Sequence, residues 1–320
     1  MVQFKNDKEA ADAFHQSYLQ LTKEVSKVIV GQDKVVKLLI SSIFCQGHSL
    51  LVGVPGLAKT LLIHTMASAL HLKFNRIQFT PDLMPSDILG AETLDKERNF
   101  KFIFGPIFAN IILADEINRT PPKTQSALLE AMQEYSVTIG GKNHPLEKPF
   151  FVLATQNPIE QEGTYPLPEA QLDRFMFNIN LDYPTLASEI EIVKNTTSER
   201  VQSVDQVMTA DEIKYYQQLV RRVPVADNVI EYAVKLVHKT RPNDGGDELA
   251  KQYLEWGAGP RASQFLVLGA KCNALMNGKY SPDIEDVQSV AEPILRHRIV
   301  RNFKAESEGI TEEKIITRLL

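Results

Sequence analysis

Three groups of residues have the types and spacing to do chemistry, beginning with Gly53-Val54-Pro55-Gly56-Leu57-Ala58-Lys59-Thr60. A glycine-rich turn exposes backbone N–H groups, and at the positive end of a following helix these form a concavity for anionic oxygens. In such a loop Lys59 reaches the β- and γ-phosphates of a nucleotide, and the Thr60 hydroxyl ligates Mg²⁺. Ala58 stands where the general pattern GxxxxGK[ST] has its second glycine. Because Ala accepts right-handed helical dihedrals without strain, the expectation is that the helix through Leu61 begins there, with a tighter cradle.

The second group is Asp115-Glu116, at the end of the apolar run Ile111-Ile112-Leu113-Ala114. Adjacent carboxylates at the carboxyl end of a buried parallel strand lie at the crevice where open α/β sheets bind ligands. Asp115 suits Mg²⁺ through its water shell, and Glu116 suits activation of an attacking water. Asn157 closes another apolar run, Phe151 to Ala154. It is either a turn residue or a neutral amide that positions water beside a phosphate.

The third group is cationic. Arg174, in Asp173-Arg174-Phe175, either pairs with a neighbouring acid or offers its guanidinium to the γ-phosphate of an adjacent subunit. Arg261 falls in the first turn of the helix opened by Gly259-Pro260, where a cation opposes the macrodipole and calls for an anion. A phosphate or a nearby Glu would serve. Arg296 to Lys304 reads as a solvated basic helix face, with nucleic acid or an acidic partner as the second reading.

Positioning these groups requires a sheet. Ser49 to Val52, Arg76 to Phe79, Ile111 to Asp115, Phe151 to Gln156 and Met176 to Leu181 read as five strands, and apolar spacing over 8 to 30 predicts a helix laid on the domain. Asp33 is the expected N-cap of a helix from Lys34 to Phe44, and Gly31-Gln32 reads on spacing alone as its start turn. Ala91 to Asp95 and Phe100 to Phe104, around Lys96-Glu97-Arg98-Asn99, suggest a hairpin, as does the stretch from Val137 past Gly140-Gly141. No strand pattern appears beyond Pro184. Thr209 to Glu212 is a capping box, and Ser281-Pro282-Asp283 starts a helix.

The 320 residues suffice for one large or two ordinary domains. No apolar run is long enough to span a bilayer, and residues 1–9 lack a signal-peptide core, so the expected location is cytoplasmic. Cys45 and Cys272 read as buried, inert thiols. A net charge of −5 argues against a large nucleic-acid footprint.

With these motifs in this order, the chain resembles the MoxR family of AAA+ ATPases from about Val30 to beyond Arg261. The resemblance rests on Gly53 to Thr60, Asp115-Glu116-Ile117-Asn118-Arg119, Ala154-Thr155-Gln156-Asn157-Pro158, Pro168 to Phe175 and Gly259-Pro260-Arg261-Ala262. It implies a P-loop AAA+ core with a five-stranded parallel sheet and hairpin insertions over 1–183, and an all-α lid over 184–320. Walker A is then Gly53, Val54, Pro55, Gly56, Leu57, Ala58, Lys59 and Thr60, with Leu61 behind it, and Walker B is Ile111 to Glu116. Asn157 becomes sensor 1, Arg174 an arginine finger and Arg261 sensor 2, while Gly31 and Gln32 match the segment beside adenine. ATP and Mg²⁺ are the implied cofactors. The implied partners are a hexameric ring of like chains and protein clients, some with von Willebrand factor A domains, in chaperone-like maturation or metal-cofactor insertion. The other readings are a nucleotide-gated binding module without turnover, and a nucleic-acid motor of the same clade.

Overall fold

The computed structural model describes residues 4–94, 100–160, 163–197, 203–243 and 245–320. Five parallel strands form the central sheet: β1 (Ser49–Val52), β2 (Phe74–Gln78), β3 (Ile111–Asp115), β4 (Phe151–Gln156) and β5 (Phe177–Asn180). They lie in the order β2-β3-β4-β1-β5. Alternate residues enter different cores. Ile111, Leu113, Phe151 and Leu153 face one apolar cluster, and Ile112, Ala114, Val152 and Ala154 face the other. Burial on both faces explains why these strands read as unbroken apolar runs.

The first cluster is shared with the helices outside the sheet. Phe14, on the helix Asp7–Ser26, meets the rings of Phe44 at 4.8 Å and Tyr216 at 5.2 Å. Helix Asp33–Phe44 starts one residue earlier than expected. Asp33 is its first helical residue, and Gln32 holds the cap position without a side-chain bond. The Asp33 carboxylate therefore acts on the helix dipole rather than as a cap.

Both expected hairpins are present, as Gly90–Leu94 with Phe100–Phe104 and as Ser136–Ile139 with Lys142–Pro145. The tetrad Lys96 to Asn99 lies outside the described residues. The hairpins touch through Phe102 and His144, stacked at 4.5 Å.

Beyond β5 the chain is helical, chiefly Leu186–Thr196, Ala210–Arg222, Asp227–Lys239, Pro260–Met276, Ile284–Leu295 and Glu312–Leu319. The capping box at Thr209 and Glu212 forms, and Asp283 caps Ile284–Leu295. One expectation is corrected: Leu254–Trp256 pairs antiparallel with Val300–Arg301, so this helical lid also carries a two-stranded ribbon. Strands of three and two residues leave no readable alternation. Among the described residues, no helix is long and apolar enough to cross a membrane. Cys45 and Cys272 are free and buried.

Candidate functional site

The loop Gly53 to Thr60 leaves β1 and enters the helix Lys59–Ala69. Gly53 N–H still bonds Gln156 O at 3.2 Å, so the sheet fixes the start of the loop. Gly56 has φ +86°, a backbone state that a side chain would strain. Ala58 corrects an expectation, because it holds φ 54° and ψ 29° in the left-handed region instead of beginning the helix. The helix starts one residue later, with no side-chain cap on its first N–H groups. Those free donors and the dipole make its N-terminus an anion site.

Lys59 Nζ rests on Gly53 O, a neutral acceptor that a phosphate oxygen can replace. Burial lowers the pKa of its ammonium, while Asp115 and Glu116 raise it. Thr60 and Leu61 are exposed. Behind the loop a 400 Å³ cavity is lined by Ile29, Val30, Gln32, Pro55, Tyr183 and Ile192. Its apolar walls suit a planar base, with phosphates directed to the loop. Gly31 borders it: a Cβ there would lie 2.6 Å from Ser188 Oγ. Gln32 Nε2 donates to Asp182 O at 3.4 Å. These features fit ATP.

Asp115 and Glu116 are tied together by Thr155 on β4. Its hydroxyl donates to Asp115 Oδ1 at 2.6 Å and accepts from Glu116 N at 2.9 Å. Asp115 Oδ2 receives Arg76 Nη2 at 2.6 Å, so a cation already faces the proposed Mg²⁺ ligand. Glu116 lies in the left-handed region, at φ 57° and ψ 49°. Its Oε2 accepts from Gln78 Nε2 at 2.8 Å and Arg119 Nη1 at 2.9 Å. Arg119 Nε also lies 3.5 Å from Glu160 Oε2. Asn157 is buried, and its Oδ1 accepts from Ile159 N at 3.2 Å.

Arg174 and Arg261 are elsewhere. They line a 160 Å³ cavity with Gln46 and His48, at the amino-terminal end of β1. The four residues of β1 separate that cavity from Gly53, about 13 Å at strand rise. Arg261 Nη1 pairs with Asp173 Oδ2 at 2.8 Å, so Asp173 is the anion its helix position calls for. The phosphate of its own loop is out of reach. Arg174 has no carboxylate partner among the described residues. His48 fixes its tautomer by geometry: Nδ1 accepts from Val152 N at 3.0 Å, leaving Nε2 to donate to Met132 O at 3.0 Å.

The basic stretch from Arg296 is not the solvated face expected. The Arg298 side chain is 1% exposed and pairs with Asp173 Oδ1 at 2.8 Å, while Arg296 bonds Glu292 and Glu313. Burial pushes the Arg298 pKa down to about 10, against the pull of Asp173. A larger cleft of 640 Å³ runs beside Arg296, Asn178 and Lys37, but its arginine is already neutralised by those two carboxylates.

Sequence reasoning gave no role to Arg76, Gln78, Thr155, Asp173 or Arg298. Thr155 is a polar residue near the end of an apolar strand, which is a usable signal, whereas Gln78 ends a strand that already carries Asn75 and Arg76. Arg298 offered none, since its main partner is 125 residues away.

The ATPase family associated with various cellular activities (AAA) matches residues 48–177, and an AAA lid domain matches 246–319. Chaperone MoxR1 of Mycobacterium tuberculosis (strain ATCC 25618 / H37Rv) is 44% identical over 93% of this chain and 79% of its own length. The uncharacterized protein YeaC of Bacillus subtilis (strain 168) is 40% identical over 93% of this chain and 91% of its own. A crystal structure from Cytophaga hutchinsonii ATCC 33406, of a protein classed provisionally as an ATPase, superposes with a TM-score of 0.91 at 44% identity, covering 97% of this chain and 95% of that one.

Proposed function

The chain belongs to the MoxR family of AAA+ ATPases, and from that premise we propose that it hydrolyses ATP in a ring of like chains, six by family resemblance, and uses the turnover to remodel or mature a client protein. The division falls near Tyr183, between a P-loop core and a helical lid. The N–H groups of Gly56 to Thr60 cradle the phosphates, with Lys59 moving from Gly53 O to a phosphate oxygen. Thr60 and Asp115 would hold Mg²⁺, which neutralises phosphate charge when bound. With the ion held through its water shell, the Asp115 carboxylate would be shared with Arg76, or Arg76 would be displaced from Oδ2. Glu116 takes the proton of the attacking water, and Asn157 positions that water.

The observation that carries the ring is Arg174. It has no carboxylate partner among the described residues, and it lies with Arg261 at the end of the sheet opposite the loop. A guanidinium so placed offsets phosphoryl charge only on another protomer's nucleotide, through a head-to-tail contact that repeats around a ring. The client, including one with a von Willebrand factor A domain or one receiving a metal cofactor, and a cytoplasmic location belong to the same proposal.

Phosphate release measured over a range of protein concentrations tests it. Wild type should turn over faster as protomers assemble, and Glu116→Gln should lose on the order of 10²–10⁴ in rate while still binding ATP. A wild type that binds ATP at all concentrations and releases no phosphate would leave a nucleotide-gated binding module instead.

A further inference from the structure

Arg298 has an unusual amount of its chemistry committed. Its Nε donates to Asp173 Oδ1 at 2.8 Å. One Nη2–H reaches Asp173 O at 2.8 Å and the other Phe175 O at 2.6 Å. Nη1 donates to Met176 O at 3.3 Å and to Ile294 O. A guanidinium has five N–H donors, so none is left over. Four of the five acceptors lie between Asp173 and Met176, the segment that carries Arg174. The fifth, on Ile294, ties the group to its own helix in the lid.

Asp173 extends the grip. While Oδ1 receives Arg298, Oδ2 receives Arg261 at 2.8 Å, so one carboxylate joins both lid arginines to the core. Phe265, one turn after Arg261 on the helix Pro260–Met276, lies under the Arg298 guanidinium at 5.1 Å. The flanking residues hold the same stretch: His297 Nε2 lies 3.0 Å from Phe175 O, and Arg296 Nη1 donates to Asn178 O at 3.3 Å. Lid and core are thus fastened to each other where Arg174 and Arg261 emerge.

We propose that Arg298 is a positioning residue for hydrolysis: it sets the Asp173–Met176 segment that carries Arg174 and, through Asp173, holds Arg261, so that one protomer presents both guanidiniums as a fixed pair to its neighbour's nucleotide. The proposal rests on the reading that these arginines act between protomers. Placement matters because a displacement of about 1 Å in a group that meets the transferring phosphoryl costs on the order of 10²-fold in rate. Arg298 itself touches no substrate. An apolar residue of similar volume would join lid to core without a buried charge, but it could not order four acceptors in one plane.

The test is mixing. Arg298→Lys keeps the charge but offers three rotatable donors in place of a planar fork. Its expected phenotype is intact ATP binding with turnover at saturating ATP reduced at least about tenfold. Combined 1:1 before assembly with Glu116→Gln protomers, which keep their arginines but cannot hydrolyse, it should regain activity. About a quarter of the composite sites in a random ring then pair an intact loop with intact arginines. Arg174→Ala mixed with Glu116→Gln is the control. If the control recovers and the Arg298→Lys mixture does not, or if Arg298→Lys alone turns over like wild type, the role given to Arg298 is overturned. If the control also stays inactive, the reading between protomers is overturned, and the proposal with it. Should Arg298→Lys fail to fold, Asp173→Asn, which keeps the shape and an acceptor, enters the same mixture under the same criteria.

Discussion

The two ends of the sheet are built on opposite plans. At the carboxyl end, Gly56, Ala58 and Glu116 hold left-handed backbone, Lys59 sits on a carbonyl, and the ion pairs of Asp115 and Glu116 use arginines 46% and 43% exposed. These arginines can be exchanged for a metal or a water at little cost, since exposed pairs are worth about 0–1 kcal/mol. At the amino end, Arg298 and His48 are buried with every ring nitrogen or N–H matched to an acceptor or donor. Removing the Asp173 carboxylate would strand the guanidinium of Arg298, which is 1% exposed, at about 3–5 kcal/mol. The difference teaches a division of labour: the end proposed to meet its own nucleotide is made to change partners, and the end proposed to face a neighbour is made to stay still.

The largest expected effect separates the two plans directly. Arg174→Ala touches nothing at the nucleotide end, so ATP affinity should stay within about twofold of wild type, while turnover falls on the order of 10³-fold, as expected for an arginine finger. Nucleotide titration beside phosphate release reads both. Undiminished turnover would remove Arg174 from the chemistry, and lost affinity would mean that the two ends are not independent.

How far this contrast could be read from the sequence follows the same line. The exchangeable end is local: one octapeptide makes the loop, and one apolar run ending in Asp115-Glu116 makes the strand and its acids. Spacing alone therefore places them. What it missed there is conformation, as at Ala58, and partners brought in from adjacent strands, such as Gln78 and Thr155. The fixed end is almost wholly tertiary. Arg296 and Arg298 look like a wet basic stretch because the acid nearest them in the chain, Glu292, is itself 46% exposed and cannot bury them. Their burial is decided by Asp173, by Glu313 and by carbonyls of β5 and the turn before it. The five strands were legible from the sequence but the order in which they pair was not, and the ribbon Leu254–Trp256 with Val300–Arg301 was too short to signal.

A smaller effect concerns pH. His48 is neutral in the fold, its pKa pushed down to about 4 by burial. Protonation would set an Nδ1–H against the Val152 N–H it now accepts. The unfolded chain takes up a proton near pH 6.5, so it binds more protons than the fold between about pH 6.5 and 4, and stability must fall as pH drops through that window, at up to about 1.4 kcal/mol per unit. His297 is displaced the same way, by burial and by the charge of Arg298. Urea midpoints at pH 7 and pH 5 should therefore differ, and His48→Gln should shrink the difference. An undiminished difference would take His48 out of the account.

The smallest effect probes the strained end. Left-handed backbone costs an L-residue about 1–2 kcal/mol, and glycine avoids that cost. Glycine also gives the unfolded chain more freedom, which takes back about 0.5–1 kcal/mol. Ala58→Gly should therefore leave stability unchanged or raise it by up to about 1.5 kcal/mol and leave ATP binding within a few-fold, whereas Ala58→Val, with a branched Cβ at positive φ, should lose both. Thermal midpoints and nucleotide titrations decide it. A loss of about 0.5–1 kcal/mol in Ala58→Gly, the cost of glycine in place of a helical alanine, would mean that Ala58 is right-handed and that the helix begins one residue earlier. The exchangeable end would then have one strained residue fewer, and strain at the loop would rest on Gly56 and Glu116 alone.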